Sequence, residues 1–172
     1  MRFEKDGIGA PLPRGEPELK IGVISDTHGL LRPEVPPLLD GVESILHLGD
    51  VGDPNILKAL REIAPLTAVR GNIDHDGPCG RLPETEVLLI EGGYLYLLHD
   101  IGTLHLDPAV AKFAAVLYGH SHKATISRHK GVLYFNPGSC GPRRFNLKVT
   151  MGYLHIAASG AIEPEIVNID CN

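Results

Sequence analysis

A chain of 172 residues, 43% hydrophobic and 22% charged, has the size and composition of one globular domain with a sizeable core, which excludes a largely disordered protein. Sixteen basic against twenty-one acidic residues leave a formal charge of −5, which excludes a broad phosphate-tracking surface; nucleic acid is not an expected partner, although a small anion can still be drawn in locally. Cys79, Cys140 and Cys171 form no CxxC pair and the first residues hold no long apolar run, so the sequence predicts no disulfide framework, thiolate zinc site, signal peptide or membrane span, and a cytoplasmic location.

Residues 1–18 carry Gly7, Gly9, Gly15, Pro11, Pro13 and Pro17 without helical or alternating period, which predicts a loosely ordered extension ahead of a single domain spanning 19–172. Lys20–Ser25 is a short apolar run that reads as a buried strand, and it ends where Asp26 opens a polar turn. Ser44–Leu48 is a second such run, ending in Gly49-Asp50, and Leu66–Val69 a third, ending in Arg70-Gly71-Asn72. Between them Pro36–Leu39 is a short helical candidate. Asn55–Ile63 is a better one, with Ile56, Leu57, Leu60 and Ile63 on one face. Beyond Pro83, Glu86–Ile90 and Tyr94–Leu98 read as a hairpin around Glu91-Gly92-Gly93, and the second strand delivers His99. Ala115–Tyr118 is a strand ending in Gly119-His120, and two further hairpins turn at Lys130-Gly131 and Ser159-Gly160. Strands alternating with helices, then strands alone, give an α/β fold at the border with α+β.

Nine histidines in a chain without tryptophan raise the question of metal, because imidazole is the commonest side-chain metal ligand. Four short pieces stand at predicted strand ends: Asp26-Thr27-His28, Gly49-Asp50, Gly71-Asn72 and Gly119-His120-Ser121-His122, with His99 as a fifth. Each is weak alone; their placement carries the information, since ligands of α/β sheets bind beyond the carboxyl ends of strands. Two Asp, one Asn and four His offer oxygen and imidazole donors without thiolates, which suits manganese, iron, nickel, cobalt or zinc. Seven ligands are too many for one metal and suit two that share a carboxylate. As i and i+2 residues of an extended segment, His120 and His122 would face one side and serve neighbouring metals.

In this order the pieces DxH, GD, GN, H and GHxH resemble the calcineurin-like metallophosphoesterases. The RGN-x-D form and the Asn136-Pro137-Gly138-Ser139 loop resemble the small bacterial and archaeal phosphodiesterases of that superfamily. The resemblance implies two β-sheets packed as a sandwich flanked by helices, four layers in all, and two divalent metals with manganese as first choice. Carried over by position, Asp26, His28 and His122 hold one metal, Asn72, His99 and His120 the other, and Asp50 bridges both. A metal-bridging hydroxide then attacks phosphorus in line and hydrolyses a small phosphate ester. Two positions depart from the pattern. Ile73 stands where many members carry a histidine that protonates the leaving oxygen, and Asp100 follows His99 where related phosphodiesterases often have glycine and a further histidine. Without that histidine, Asp74, His75 or a metal-bound water would take its place, and diesters are expected over monoesters. The resemblance also leaves open a monoesterase or nuclease, and a non-catalytic trafficking scaffold on the same fold.

Asp50, Asn72 and Asp74 are therefore the expected catalytic residues, with Arg70, His75 and Arg143 as weaker candidates for substrate binding; Arg144 shares the loop of Arg143. His47, inside an apolar strand, is expected to be buried and to orient the site rather than ligate. A homo-oligomer is compatible with the sequence, which does not specify the assembly.

Overall fold

The computed structural model describes residues 18–169; the expected extension, apart from Glu18, and Cys171 lie outside them. In chain order the elements are β1 (Glu18–Ile24), α1 (Val35–Leu38), β2 (Ser44–His47), α2 (Pro54–Arg61), β3 (Leu66–Ala68), α3 (Gly77–Gly80), β4 (Thr85–Ile90) and β5 (Gly93–Leu98). A 3-10 turn at Ile101–Thr103 follows, then β6 (Phe113–Leu117), β7 (Thr125–His129), β8 (Val132–Asn136), β9 (Thr150–Ala157) and β10 (Ile162–Asn168). They form two mixed five-stranded sheets, ordered β10-β9-β1-β2-β3 and β4-β5-β6-β8-β7. β1, β2 and β3 run parallel, so their carboxyl ends open on one edge of the first sheet. β5, β6 and β8 run parallel in the second.

Side chains alternate between two cores because strand residues point alternately to opposite faces. Ile21, Val23, Leu46, Leu154 and Ile156 of the first sheet meet Leu95, Leu97, Leu117, Leu133 and Phe135 of the second. The other face of the first sheet, with Ile24, Ile45 and Met151, packs on Val35, Leu39, Ile56, Leu57 and Leu60. Helix α2 starts cleanly: Asp53 accepts the Asn55 N–H at 2.8 Å and Pro54 occupies the first turn, where its missing N–H costs nothing. The sandwich of the sequence reading is present, but its fourth layer is thin. The outer face of the second sheet is covered by Ile101, Leu104 and Ala109 rather than by an α-helix. Asp100 and Asp107 accept nearby backbone N–H groups in local turns there, and the chain between them forms only the 3-10 turn at Ile101–Thr103.

Buried polar groups fix the turns at the parallel strand ends. Beyond β1 and β2 the two chains stay paired, with Asp26 N–H on the Gly49 carbonyl at 3.0 Å and His28 N–H on the Asp50 carbonyl at 2.9 Å. His47 is fully buried; its Nδ1 accepts the Gly49 N–H at 3.2 Å and its Nε2 lies 2.9 Å from Thr27 Oγ1. Thr27 donates in turn to the Val51 carbonyl, so His47 is neutral with its proton on Nε2. Asn136 donates to the Gly119 carbonyl at 2.8 Å and accepts from the Gly138 N–H, tying the GHSH segment to the following loop.

Burial pushes the His47 pKa from 6.5 down to about 4. A depressed histidine contributes stability that is intact above its unfolded pKa and lost as pH falls toward the folded one. Denaturation of metal-stripped protein should therefore show stability falling by about 2–3 kcal/mol between pH 6.5 and pH 4. His47→Gln should flatten that slope; an unchanged slope would show that another group titrates.

Candidate metal centre

Five of the seven candidate ligands sit on left-handed backbone: Asp26, His28, Asp50, His120 and His122, with φ between 45° and 68°. Such conformations cost of order 1 kcal/mol each for residues other than glycine and persist where the surroundings enforce them. The extended geometry expected of His120 and His122 is thus not what the fold uses; two left-handed residues aim the side chains instead. The neighbouring glycines serve close approach. A Cβ on Gly71 would lie 2.1 Å from Asp50 Oδ1, and one on Gly119 would lie 2.0 Å from Ser25 Oγ.

The ligands fall into two groups. In the first, Asp26 Oδ1 lies 3.3 Å from Nε2 of His122 and 3.7 Å from Nε2 of His28, and the two Nε2 atoms are 3.1 Å apart. Asp26 is completely buried, and its Oδ1 makes no hydrogen bond among the described residues, while Oδ2 accepts the His120 N–H at 3.1 Å. An unsatisfied buried carboxylate oxygen is expensive, and a cation between it and two imidazoles satisfies it. In the second group, Asn72 Oδ1 lies 3.1 Å from His99 Nε2 and 2.9 Å from His120 Nδ1. His99 donates from Nδ1 to the Leu48 carbonyl at 2.7 Å, which turns the lone pair of Nε2 inward. Asp50 stands between the groups, Oδ1 3.3 Å from His99 Nε2 and Oδ2 3.5 Å from His28 Nε2.

Both carboxylates are ionised. Burial works against the charge on Asp26, but the facing His122 and His28 outweigh it and hold the group well below the carboxylate range. Asp50 is lowered likewise: burial opposes, while His99 and the Ile73 N–H prevail. Burial also opposes a proton on His99, yet Asp50 and the Leu48 carbonyl outweigh it and raise its pKa. Two clusters, Asp26 with His28 and His122, and Asp26 and Asp50 with His99, bring oxygen and imidazole donors within 4.8 Å of one another, a donor set that fits divalent cations of the borderline class.

The remaining candidates are placed differently from the sequence reading. Asp74 is buried, and its carboxylate accepts three backbone N–H groups, from Val51, Gly52 and Gly71 at 2.9–3.1 Å. It is a clamp that joins two of the turns carrying candidate ligands. Arg70 donates to the Gly80 carbonyl at 3.2 Å and pairs with Glu84. His75 is exposed. Arg143 is exposed too, and its neighbour Arg144 is the one that reaches the centre, with Nη2 3.4 Å from His28 Nδ1. Ser139, which the reading did not single out, donates to the Asp26 carbonyl at 2.9 Å. Its place in the NPGS loop was the available signal.

Residues 19–159 match the model of the calcineurin-like phosphoesterase superfamily domain. A protein of Methanocaldococcus jannaschii named "probable metallophosphoesterase" is 32% identical over 163 residues, covering 87% of this chain and 81% of its own. A phosphodiesterase of the same organism is 27% identical over 143 residues, covering 71% and 84%. Among solved structures, vacuolar protein sorting 29 from Cryptosporidium parvum superposes with a TM-score of 0.72 at 18% identity, over 90% of this chain and 99% of that one, a likeness of fold. The matched span contains the whole second sheet, the first sheet apart from Glu18 and strand β10, and every candidate ligand, and the chain belongs to the calcineurin-like phosphoesterase superfamily.

Proposed function

We propose that the protein is a phosphodiesterase that works with two divalent cations. Asp26, His28 and His122 hold one, Asn72, His99 and His120 the other, and Asp50 joins them. The observation that carries this is the position of Asp50, which turns one oxygen toward each donor group. Cations bound there supply Lewis-acid charge against phosphoryl oxygens and lower the pKa of water, the chemistry that two-metal sites bring to phosphoryl displacement. Manganese is our first choice, with nickel, iron, cobalt and zinc fitting the same donors.

The chain's own residues set the rest of the reaction. Asp50 and Asn72 fix the centre on one rigid sheet edge, and Asn72, ligating through Oδ1, keeps its Nδ2 hydrogens for an oxygen of the ester. Ile73 offers no proton to the leaving alcohol, and Asp74 is committed to its clamp. Small diesters with good leaving groups are accordingly the favoured substrates over monoesters. The relative named a phosphodiesterase supports the same choice. We place the protein in the cytoplasm; among the described residues no helix is long and apolar enough to cross a membrane.

The scaffold reading draws on the likeness of fold to vacuolar protein sorting 29. Retention of all seven ligands in two converging groups speaks against it.

Metal-stripped protein should be inactive on a chromogenic diester and recover with manganese. Asp50→Asn should lose at least about 100-fold in kcat, because the atom that couples the two groups is changed. Turnover indifferent to chelation would contradict the proposal, and folded protein inactive with every metal would favour the scaffold. Asp74→Asn, which sets an amide N–H2 against backbone N–H donors, should cost about 2–4 kcal/mol of stability. Its pH–rate profile should keep both limbs. Loss of the alkaline limb at unchanged Tm would instead make Asp74 the general acid.

A further inference from the structure

The loop after β8 brings Arg144 to the lip of the metal centre, with Phe145 next to it in the chain, and the ligand set uses neither. Arg144 is exposed, with its guanidinium 3.4 Å from His28 Nδ1. Phe145 follows it, 90% exposed and with φ 53°, a left-handed conformation that is a genuine outlier for a bulky residue. The loop that carries them is tied down at several points. Arg32 Nε–H donates to the Gly141 carbonyl at 2.8 Å, Ser139 to the Asp26 carbonyl, and the Leu147 N–H closes a turn on Arg144 at 3.2 Å. Ile73 adds an aliphatic surface beside Asn72, 38% exposed, with its N–H on Asp50 Oδ1.

This combination has a chemical reading. When His28 ligates through Nε2 its remaining proton is on Nδ1, so that N–H and the Arg144 guanidinium become two donors in need of one acceptor. A phosphoryl oxygen satisfies both. Phe145, one residue along on strained backbone, is an exposed aromatic ring without a packing partner in the core, the kind of surface that a planar group esterified to that phosphate can stack on.

We propose that Arg144 and Phe145 form a substrate clamp selecting phosphodiesters that carry a planar aromatic group, a nucleobase or an aryl ring. Arg144 holds the phosphoryl group and Phe145 stacks on the ring. The clamp rests on the phosphodiesterase reading above, and its test is chosen to separate the two.

The probes are non-hydrolysable phosphonate analogues of an aryl, a nucleoside and a ring-free alkyl diester. Their affinities for the full chain with manganese are measured by calorimetry, alongside kcat/KM for the corresponding diesters. Phe145→Asn removes the ring but keeps a residue tolerant of left-handed backbone. It should reduce the preference for aromatic over ring-free phosphonate by about tenfold, and Phe145→Tyr should retain it. Arg144→Gln should weaken all three phosphonates alike, again by about tenfold. The aryl and nucleoside arms identify which ring is held. A wild-type protein that binds ring-free and aromatic phosphonates equally, or a preference unmoved by Phe145→Asn, would overturn the clamp. Phosphonate selectivity without turnover of any diester would support the clamp and defeat the phosphodiesterase reading instead.

Discussion

Two ionised carboxylates, Asp26 and Asp50, lie buried at the ends of adjacent parallel strands, and the structure is arranged around them. A carboxylate removed from water must be paired or coordinated, or it takes up a proton. Here the groups that face the two are imidazoles, backbone N–H groups and the Ser25 hydroxyl, and one oxygen of Asp26 is left without a hydrogen bond among the described residues. Divalent cations between these oxygens and the imidazoles would complete the electrostatics.

Holding that arrangement takes rigid support. The strained turns that aim the ligands are fastened from behind by residues that never face the centre. His47 pins the Asp26 and Asp50 turns together through Thr27 and Gly49. Asp74 joins the Asp50 and Asn72 turns through three N–H groups, and Asn136 and Ser139 fasten the GHSH segment and the Asp26 carbonyl. Behind them two close-packed sheets leave the turns little freedom to relax. The fold thus converts core packing into the position of the candidate ligands.

Much of this was legible in the sequence, for a physical reason. Short apolar runs bounded by polar turns mark buried strands, and a polar residue just past such a run has one place to go: the sheet edge. That is why Asp26, Asp50, Asn72, His99 and His120 could be assigned together from their positions. The sequence was silent where contacts join distant segments or where backbone hand decides direction. Asp74 looks like a proton donor beside Asn72 until three amides converge on it, and Arg70 looks free until Glu84, fourteen residues away, takes it. Arg143 and Arg144 are indistinguishable as letters; the turn that closes from Leu147 onto Arg144 decides which reaches His28. The outer layer of the second sheet is thin, a 3-10 turn at Ile101–Thr103 and the loop beyond it, a detail that the pattern of strands and helices does not specify.

The central claim is a centre of two cations joined by Asp50. Anomalous diffraction from crystals grown with manganese tests it most directly. The account predicts two peaks about 3.5–4 Å apart, one beside Asp26, His28 and His122, the other beside Asn72, His99 and His120, with a carboxylate oxygen of Asp50 between them. A single peak, or density in which Asp50 touches neither ion, would contradict it.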